Sequence, residues 1–213
     1  MRLTKLGHSC VRLEKDGATL VIDPGGWSEP TAALQDAAAV LVTHEHPDHL
    51  DPDAVRAALS ADPDLTLHAN QSVAVQFSEF GDRVHEVQHG DALDIAGFGV
   101  HVYGTEHALI HDDIPLVTNT GFLIDGDLFH PGDSFTVPED PTSTLLVPIS
   151  APWLKSGEMI DYYRAVAPAR GYAIHDAILN DAGLALFTRM LTQAAAPSGT
   201  PVARLDPGTT IDL

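Results

Sequence analysis

The hydrophobic pattern changes character along the chain. Residues 2–6 and 9–14 alternate apolar and polar side chains, which predicts two antiparallel strands ahead of a third strand at 18–22. Further on, continuous apolar runs at 39–43 and 144–149 are typical of strands that are buried on both faces. We therefore expect an antiparallel beginning followed by buried strands in the interior of a sheet.

Helical segments separate the later strands. Asp51 suits the N-cap and Pro52 the first helical position of a helix over residues 52–59. Other helices are predicted at about 72–80, from 156 and from 181, and further strands at 65–68, 84–87, 92–95, 100–105, 119–124, 128–130, 171–174, 202–205 and 210–213. This order, with a similar rhythm in the two halves, suggests two sheets packed face to face with helices outside.

Composition agrees with a single globular domain over residues 1–213. The chain is 44% hydrophobic and 19% charged, and its formal net charge is −19. Between Arg83 and Lys155 there is no Lys or Arg at all. Nucleic-acid binding requires a basic surface that displaces counterions from phosphates, so we expect no nucleic-acid partner. The expected partner is a small-molecule substrate, and the sequence leaves open a second copy of the chain in a homo-oligomer.

The remaining compositional features favour a cytoplasmic protein. The single cysteine, Cys10, cannot form an intramolecular disulfide, which fits a reducing compartment. Residues 1–5 run directly into the strand pattern without the apolar core of a signal peptide. No apolar run approaches the roughly 18 to 20 residues that span a bilayer, so we expect no membrane partner.

The candidate chemistry is concentrated in six residues, His44-Glu45-His46-Pro47-Asp48-His49. They follow the buried strand at 39–43 and precede the helix at 52–59, so the cluster lies at the carboxyl end of a strand, where α/β sheets usually bind ligands. Imidazole and carboxylate ligands without a nearby thiolate suit zinc, manganese or iron. A histidine-rich surface loop would not explain this framing by a strand and a capped helix.

This segment resembles the His-x-His-x-Asp-His signature of the metallo-β-lactamase superfamily. The resemblance implies an α+β fold, a four-layer αββα sandwich of two mixed β-sheets, known as the metallo-β-lactamase fold. It also implies two divalent metal ions, with zinc expected and manganese or iron as alternatives. His44 and His46 would bind metal 1, whereas Asp48 and His49 would bind metal 2.

The resemblance extends to three later positions. His107 lies where the superfamily supplies the third ligand of metal 1, and His111 is the alternative four residues on. Asp133 lies at the position of the bridging carboxylate, where familiar zinc β-lactamases carry Cys, which argues against antibiotic hydrolysis. His175 matches the last ligand, which would complete metal 2.

Three other residues have less certain roles. Asp23 resembles an acidic position that supports the histidine loop without binding metal. Gly7-His8-Ser9 resembles the opening of the branch that contains ascorbate-6-phosphate lactonases, so His8 lies either beside the pocket or in an ordinary core or surface position. The pattern around His130 favours neither the pocket nor the solvent.

The ligand set implies a dinuclear hydrolase in which a metal-bridging hydroxide attacks a small ester, lactone or phosphoester. Asp48 would also be catalytic, because its carboxylate is expected to orient that nucleophile. One alternative is a mononuclear iron oxygenase acting on sulfur compounds, and another is a non-catalytic metal-binding protein. The complete second set, Asp48, His49 and His175, argues against the mononuclear enzyme, and the intact ligand set disfavours the non-catalytic protein, although ligands alone establish binding and not turnover.

Overall fold

The computed structural model describes residues 1–213 and contains fourteen strands, five α-helices and one 3₁₀ segment, Val75–Arg83. The strands are β1 Arg2–Lys5, β2 Val11–Lys15, β3 Ala18–Ile22, β4 Ala39–Val42, β5 Thr66–Ala69, β6 Val84–Glu86, β7 Ala92–Ile95, β8 Phe98–Tyr103, β9 Gly121–Ile124, β10 Leu128–His130, β11 Thr144–Pro148, β12 Arg170–Ile174, β13 Val202–Arg204 and β14 Thr210–Asp212. The helices are α1 Pro30–Leu34, α2 Pro52–Ala61, α3 Gln71–Ala74, α4 Ser156–Val166 and α5 Asp181–Ala195. No helix is both long enough and apolar enough to cross a membrane.

The strands form two mixed sheets of seven strands each. The first has the order β14-β1-β2-β3-β4-β5-β6 and the second β13-β12-β11-β10-β9-β8-β7. In the first sheet β1, β2 and β3 pair antiparallel, and the strands from β3 to β6 pair parallel. In the second sheet the parallel strands run from β10 to β13. The α+β fold expected from the sequence is confirmed.

The apolar residues divide into an inner core and two outer cores. Leu20, Leu41 and Phe122 belong to the inner core between the sheets, whereas Val40 and Val42 belong to an outer core that also includes residues of α1 and α2. A third cluster packs α4 and α5 on the second sheet. Because both faces of β4 are covered, its apolar run is continuous, as expected for an interior strand.

Two local features differ from or sharpen the sequence prediction. The helix expected at about 72–80 is a single turn, α3, followed by the 3₁₀ segment, because Phe77 and Gly81 have non-helical backbone angles. An Asp-Gly dipeptide between apolar runs predicts a hairpin at residues 125–126, and the turn between β9 and β10 is that hairpin, with Asp125 and Gly126 both at positive φ. This hairpin directs β10 toward the edge of the sheets where the histidine loop lies.

Candidate metal centre

The histidine loop after β4 is held by a buried carboxylate at the end of β3. Asp23 Oδ1 accepts a hydrogen bond from the Thr43 backbone N–H at 2.8 Å, and Oδ2 accepts one from Thr43 Oγ1 at 2.7 Å. The same Oδ2 lies 2.6 Å from His49 Nδ1, which fixes the ring with its Nε2 directed into the site. This is the supporting role expected for Asp23.

A close approach of two backbones fixes the loop from the other side. Gly25 lies so near the loop that a Cβ there would be 1.9 Å from the carbonyl oxygen of Asp48. Beyond the loop, Asp51 caps α2 by accepting hydrogen bonds from the N–H groups of Asp53 and Ala54. The loop is therefore fixed at both ends before any metal binds.

Asp133 reaches the centre from the second sheet. It follows β10, and its backbone N–H donates to Asn119 Oδ1 at 3.0 Å, while the side-chain Oδ2 accepts a hydrogen bond from Trp153 Nε1 at 3.0 Å. Its Oδ1 lies 3.0 Å from His49 Nε2, and its Oδ2 lies 3.3 Å from His107 Nε2. One carboxylate thus faces imidazoles from both predicted ligand sets.

His107 and His175 are oriented by backbone carbonyls. His107 Nδ1 donates to the carbonyl of Ala108 at 2.6 Å, and His175 Nδ1 donates to the carbonyl of Ser150. In the neutral form of each ring the other nitrogen, Nε2, therefore holds the lone pair that can bind a metal. His175 Nε2 lies 3.0 Å from Asp133 Oδ2, in the middle of the cluster.

Potential ligand atoms form overlapping groups within 4.8 Å of one another. One group is His44, His46 and His107; another is His8, Asp48, His49 and His175; a third is His44, His49 and Asp133. The structure therefore brings together all seven residues that the sequence pattern predicted as ligands. It also places His8 among them.

The donor set fits divalent metal ions. The Nε2 atoms of His49, His107 and His175 and the Oδ1 atom of Asp133 are buried and have no hydrogen-bond partner. His44 Nε2 and His46 Nδ1 lie within hydrogen-bond distance of each other, at 3.1 Å. Buried polar atoms without a hydrogen-bond partner are unfavourable, and a cation between them would satisfy them.

The electrostatics of the cluster favour positive charge. Burial acts to lower the pKa of His175, but Asp133 outweighs it and raises that pKa to about 9. Burial acts to raise the pKa of Asp133, yet His49 and His175 hold it well below its usual value. The carboxylates therefore remain ionised within a buried ring of imidazoles, which is a suitable environment for a cation.

Residues 2–175 match the family described as the beta-lactamase superfamily domain. The chain belongs to this superfamily. It is 38% identical over 199 residues to the Mycobacterium tuberculosis protein Rv0786c, an alignment covering 91% of this chain and 92% of that one. It is 32% identical over 146 residues to the UPF0173 metal-dependent hydrolase MK1542 of Methanopyrus kandleri, covering 63% of this chain and 62% of the relative.

A similar solved structure supports the fold. The metallo hydrolase Igni18 from the archaeon Ignicoccus hospitalis superposes with a TM-score of 0.74 at 20% identity, covering 100% of this chain and 98% of its own. At this identity the likeness concerns the fold alone. Nothing in these comparisons singles out the ascorbate-6-phosphate lactonase branch suggested by Gly7-His8-Ser9.

The sequence leaves the roles of three histidines open, and the structure gives each of them different surroundings. His8 Nδ1 accepts a hydrogen bond from the Ala177 backbone N–H at 3.2 Å, so its Nε2 carries the proton and donates to Asp48 Oδ2 at 3.1 Å. His130 is fully buried between backbone groups and braces the β10 end. His111 lies on the surface, where its Nδ1 accepts a hydrogen bond from the Asp113 N–H.

Sequence reasoning missed the supporting roles of Asn119 and Trp153. Asn119 orients Asp133 from 14 residues away and Trp153 from 20 residues away. Asn119 gave no local signal, because an amide at a strand end is common. The position of Trp153 after a buried strand suits either a pocket wall or a core residue, and nothing in the local sequence indicates its hydrogen bond to Asp133.

Proposed function

We propose that this chain is a metal-dependent hydrolase that holds two divalent ions and cleaves a small ester, lactone or phosphoester. The observation that supports it is the convergence of seven potential ligand side chains from both sheets, four of which have a buried nitrogen or oxygen atom without a hydrogen-bond partner. Membership of the beta-lactamase superfamily and the relative named as a metal-dependent hydrolase agree with it.

His44, His46 and His107 would hold the first ion, and Asp48, His49 and His175 the second, with Asp133 between them. When bound, such a pair of ions supplies a water of lowered pKa and a positive charge that stabilises a developing oxyanion. Zinc is the ion that this nitrogen-rich set suits best, with manganese and iron as alternatives.

Asp48 is the residue that we assign to orientation of the attacking water. Its Oδ2 lies 3.4 Å from His175 Nε2 and accepts the hydrogen bond from His8. Although burial acts to raise the pKa of Asp48, the imidazoles of His175 and His8 hold it well below its ordinary value. Asp48 is therefore an ionised acceptor, which can hold a water molecule by its proton.

The first test is the metal content of protein purified without added metal, measured by elemental analysis beside His175→Ala and the surface control His111→Ala. We expect close to two metals per chain in the wild type and in the control, and a fall toward one in His175→Ala. One iron per chain, unchanged in His175→Ala, would instead direct the work to oxygen consumption on sulfur compounds.

The second test concerns turnover. The metal-loaded protein should hydrolyse p-nitrophenyl esters, lose this activity with a chelator and recover it when metal is returned. Asp48→Asn should lower kcat by about 10² to 10⁴ if the carboxylate orients the nucleophile. Metal content and turnover both equal to those of the wild type would contradict the role assigned to Asp48.

A further inference from the structure

We infer that the site selects a substrate whose non-reacting part is uncharged and apolar, an inference that rests on the proposed hydrolase function. The metal centre opens into a cavity of about 250 Å³. Its apolar wall consists of Trp27, Pro47, Ile110, Pro152, Trp153 and Ile178. The polar residues of the lining, His46, Asp48, His107, Asp133 and His175, all belong to the metal centre.

The mouth of the cavity exposes an apolar surface that the fold itself leaves uncovered. Trp27 is 49% exposed and Ile178 is 50% exposed, although both line the cavity beside the metal centre. The Trp27 ring rests edge-on against His8, with ring centroids 5.1 Å apart. A ligand that covered these side chains would remove apolar area from water, which favours an alkyl or aryl group.

No Lys or Arg lines this cavity. Ten of the eleven basic residues make ion pairs or hydrogen bonds elsewhere: Arg2, Lys5, Arg12, Lys15, Arg56, Arg83, Lys155, Arg164, Arg170 and Arg204. The eleventh, Arg189, is exposed on α5. A carboxylate or phosphate on the distal part of a substrate would therefore find no cationic partner in the wall.

The surroundings of the mouth add repulsion for anions. The segment that carries His107 exposes Glu106, Asp112 and Asp113, and the chain as a whole has a formal charge of −19. Such a field lowers the local concentration of anionic substrates. Within the proposed ester, lactone and phosphoester classes, these features favour neutral acyl esters and lactones with hydrocarbon substituents.

The test uses two esters that differ only at the far end of the acyl chain. In p-nitrophenyl hexanoate this end is a methyl group, and in mono-p-nitrophenyl adipate it is a carboxylate. The metal-loaded wild type should have a kcat/KM at least about tenfold higher for the hexanoate. Equal values, or a preference for the adipate ester, would overturn the inference and leave the hydrolase function intact.

Ile178→Lys supplies the missing cation at the mouth, and Leu186→Lys, a matched change of an exposed leucine on α5, is the control. Ile178→Lys should reduce the ratio of kcat/KM for the hexanoate to kcat/KM for the adipate ester by about fivefold, chiefly by raising kcat/KM for the adipate ester. The control should leave this ratio unchanged. Trp27→Ala should reduce the advantage of the hexanoate over p-nitrophenyl acetate. Identical ratios in all variants would contradict recognition by this wall.

If neither ester is cleaved by metal-loaded protein, the esterase form of the proposed function fails, and the inference is then judged by binding. Hexanamide and adipamic acid are the unreactive counterparts of the two esters. Their binding is followed through the tryptophan fluorescence of the metal-loaded protein. Tighter binding of hexanamide supports the inference, and tighter or equal binding of adipamic acid overturns it.

Discussion

Replacement of His8 tests the metal centre without changing any of the seven expected ligands. The imidazole connects two loops, because its Nδ1 accepts the Ala177 N–H and its Nε2–H donates to Asp48 over 3.1 Å. Burial lowers the pKa of His8 to about 4, so the ring is neutral near pH 7 and its tautomer is fixed by the backbone. His8 is therefore a positioning residue for the Asp48 carboxylate.

His8→Leu removes this donor and keeps an apolar side chain of moderate size in the buried position. A hydrogen bond to an ionised group contributes about 1.5–3 kcal/mol. Because 1.4 kcal/mol corresponds to a factor of ten, we expect the affinity for the ion beside Asp48 to fall about 10- to 100-fold. His8→Gln can place an amide N–H near the position of Nε2, so it should keep most of the affinity.

Stepwise metal affinities are measured by competition with a chromogenic chelator, with thermal unfolding of the metal-free proteins as a check on folding. The loss in His8→Leu should be confined to the ion held by Asp48, His49 and His175. His8 has a φ of +46°, a conformation that strains Leu and Gln alike. A difference in metal affinity between His8→Leu and His8→Gln is therefore not caused by backbone strain. Equal affinities in all three proteins, or equal weakening of both ions, would refute the positioning role.

Three further predictions concern stability, each measured by urea unfolding. Gly25→Ala places a methyl group 1.9 Å from a carbonyl oxygen of the histidine loop, so the free energy of unfolding should fall by about 1–3 kcal/mol. In the control Gly157→Ala the methyl group enters open space on α4, and the free energy of unfolding should rise by about 0.5–1 kcal/mol. Similar effects of the two substitutions would contradict the close approach at Gly25. Burial lowers the pKa of His68 to about 4, whereas its value in the unfolded chain is near 6.5. Between these two pH values the unfolded chain binds more protons than the folded protein, so the folded protein loses stability as the pH falls from about 6.5 to about 4. His68→Leu should therefore remove up to about 2–3 kcal/mol of the pH dependence between pH 6.5 and 4, and an unchanged slope would argue against it. Asp176→Asn removes the carboxylate that pairs with Lys5, whose side chain is 1% exposed and lies 2.6 Å away, and should lower the free energy of unfolding by about 3–5 kcal/mol. A loss below about 1 kcal/mol would show that the pair contributes no more than an exposed ion pair.

The parts of the structure that could be predicted are those that a few residues adjacent in the sequence determine. The spacing of His44, His46, Asp48 and His49, between a buried strand and a capped helix, carries both the ligand chemistry and its location at a strand end. The hairpin at Asp125 is likewise determined by adjacent residues, since two residues at positive φ fix the turn. In both cases the physical cause acts within a few positions of the chain.

The parts that could not be predicted depend on contacts across the sequence. His8 meets Ala177 across 169 positions, and only the packing of the first turn against the loop after β12 creates that hydrogen bond. The resemblance to the superfamily favours His107 over His111, and the structure adds the tertiary reason, because only His107 is buried against the cluster. The 3₁₀ segment at 75–83 was missed because Phe77 leaves helical geometry in a position where its ring is fully buried.

The expected ligands are divided between the two sheets. The histidine loop belongs to the first sheet, whereas His107, Asp133 and His175 belong to the second. Bound ions would thus join the two halves of the sandwich, and they would bind weakly to any state in which the sheets have separated. Metal supply in the cell would then control the lifetime of the protein, because chains without metal would open more often and be degraded faster by proteases.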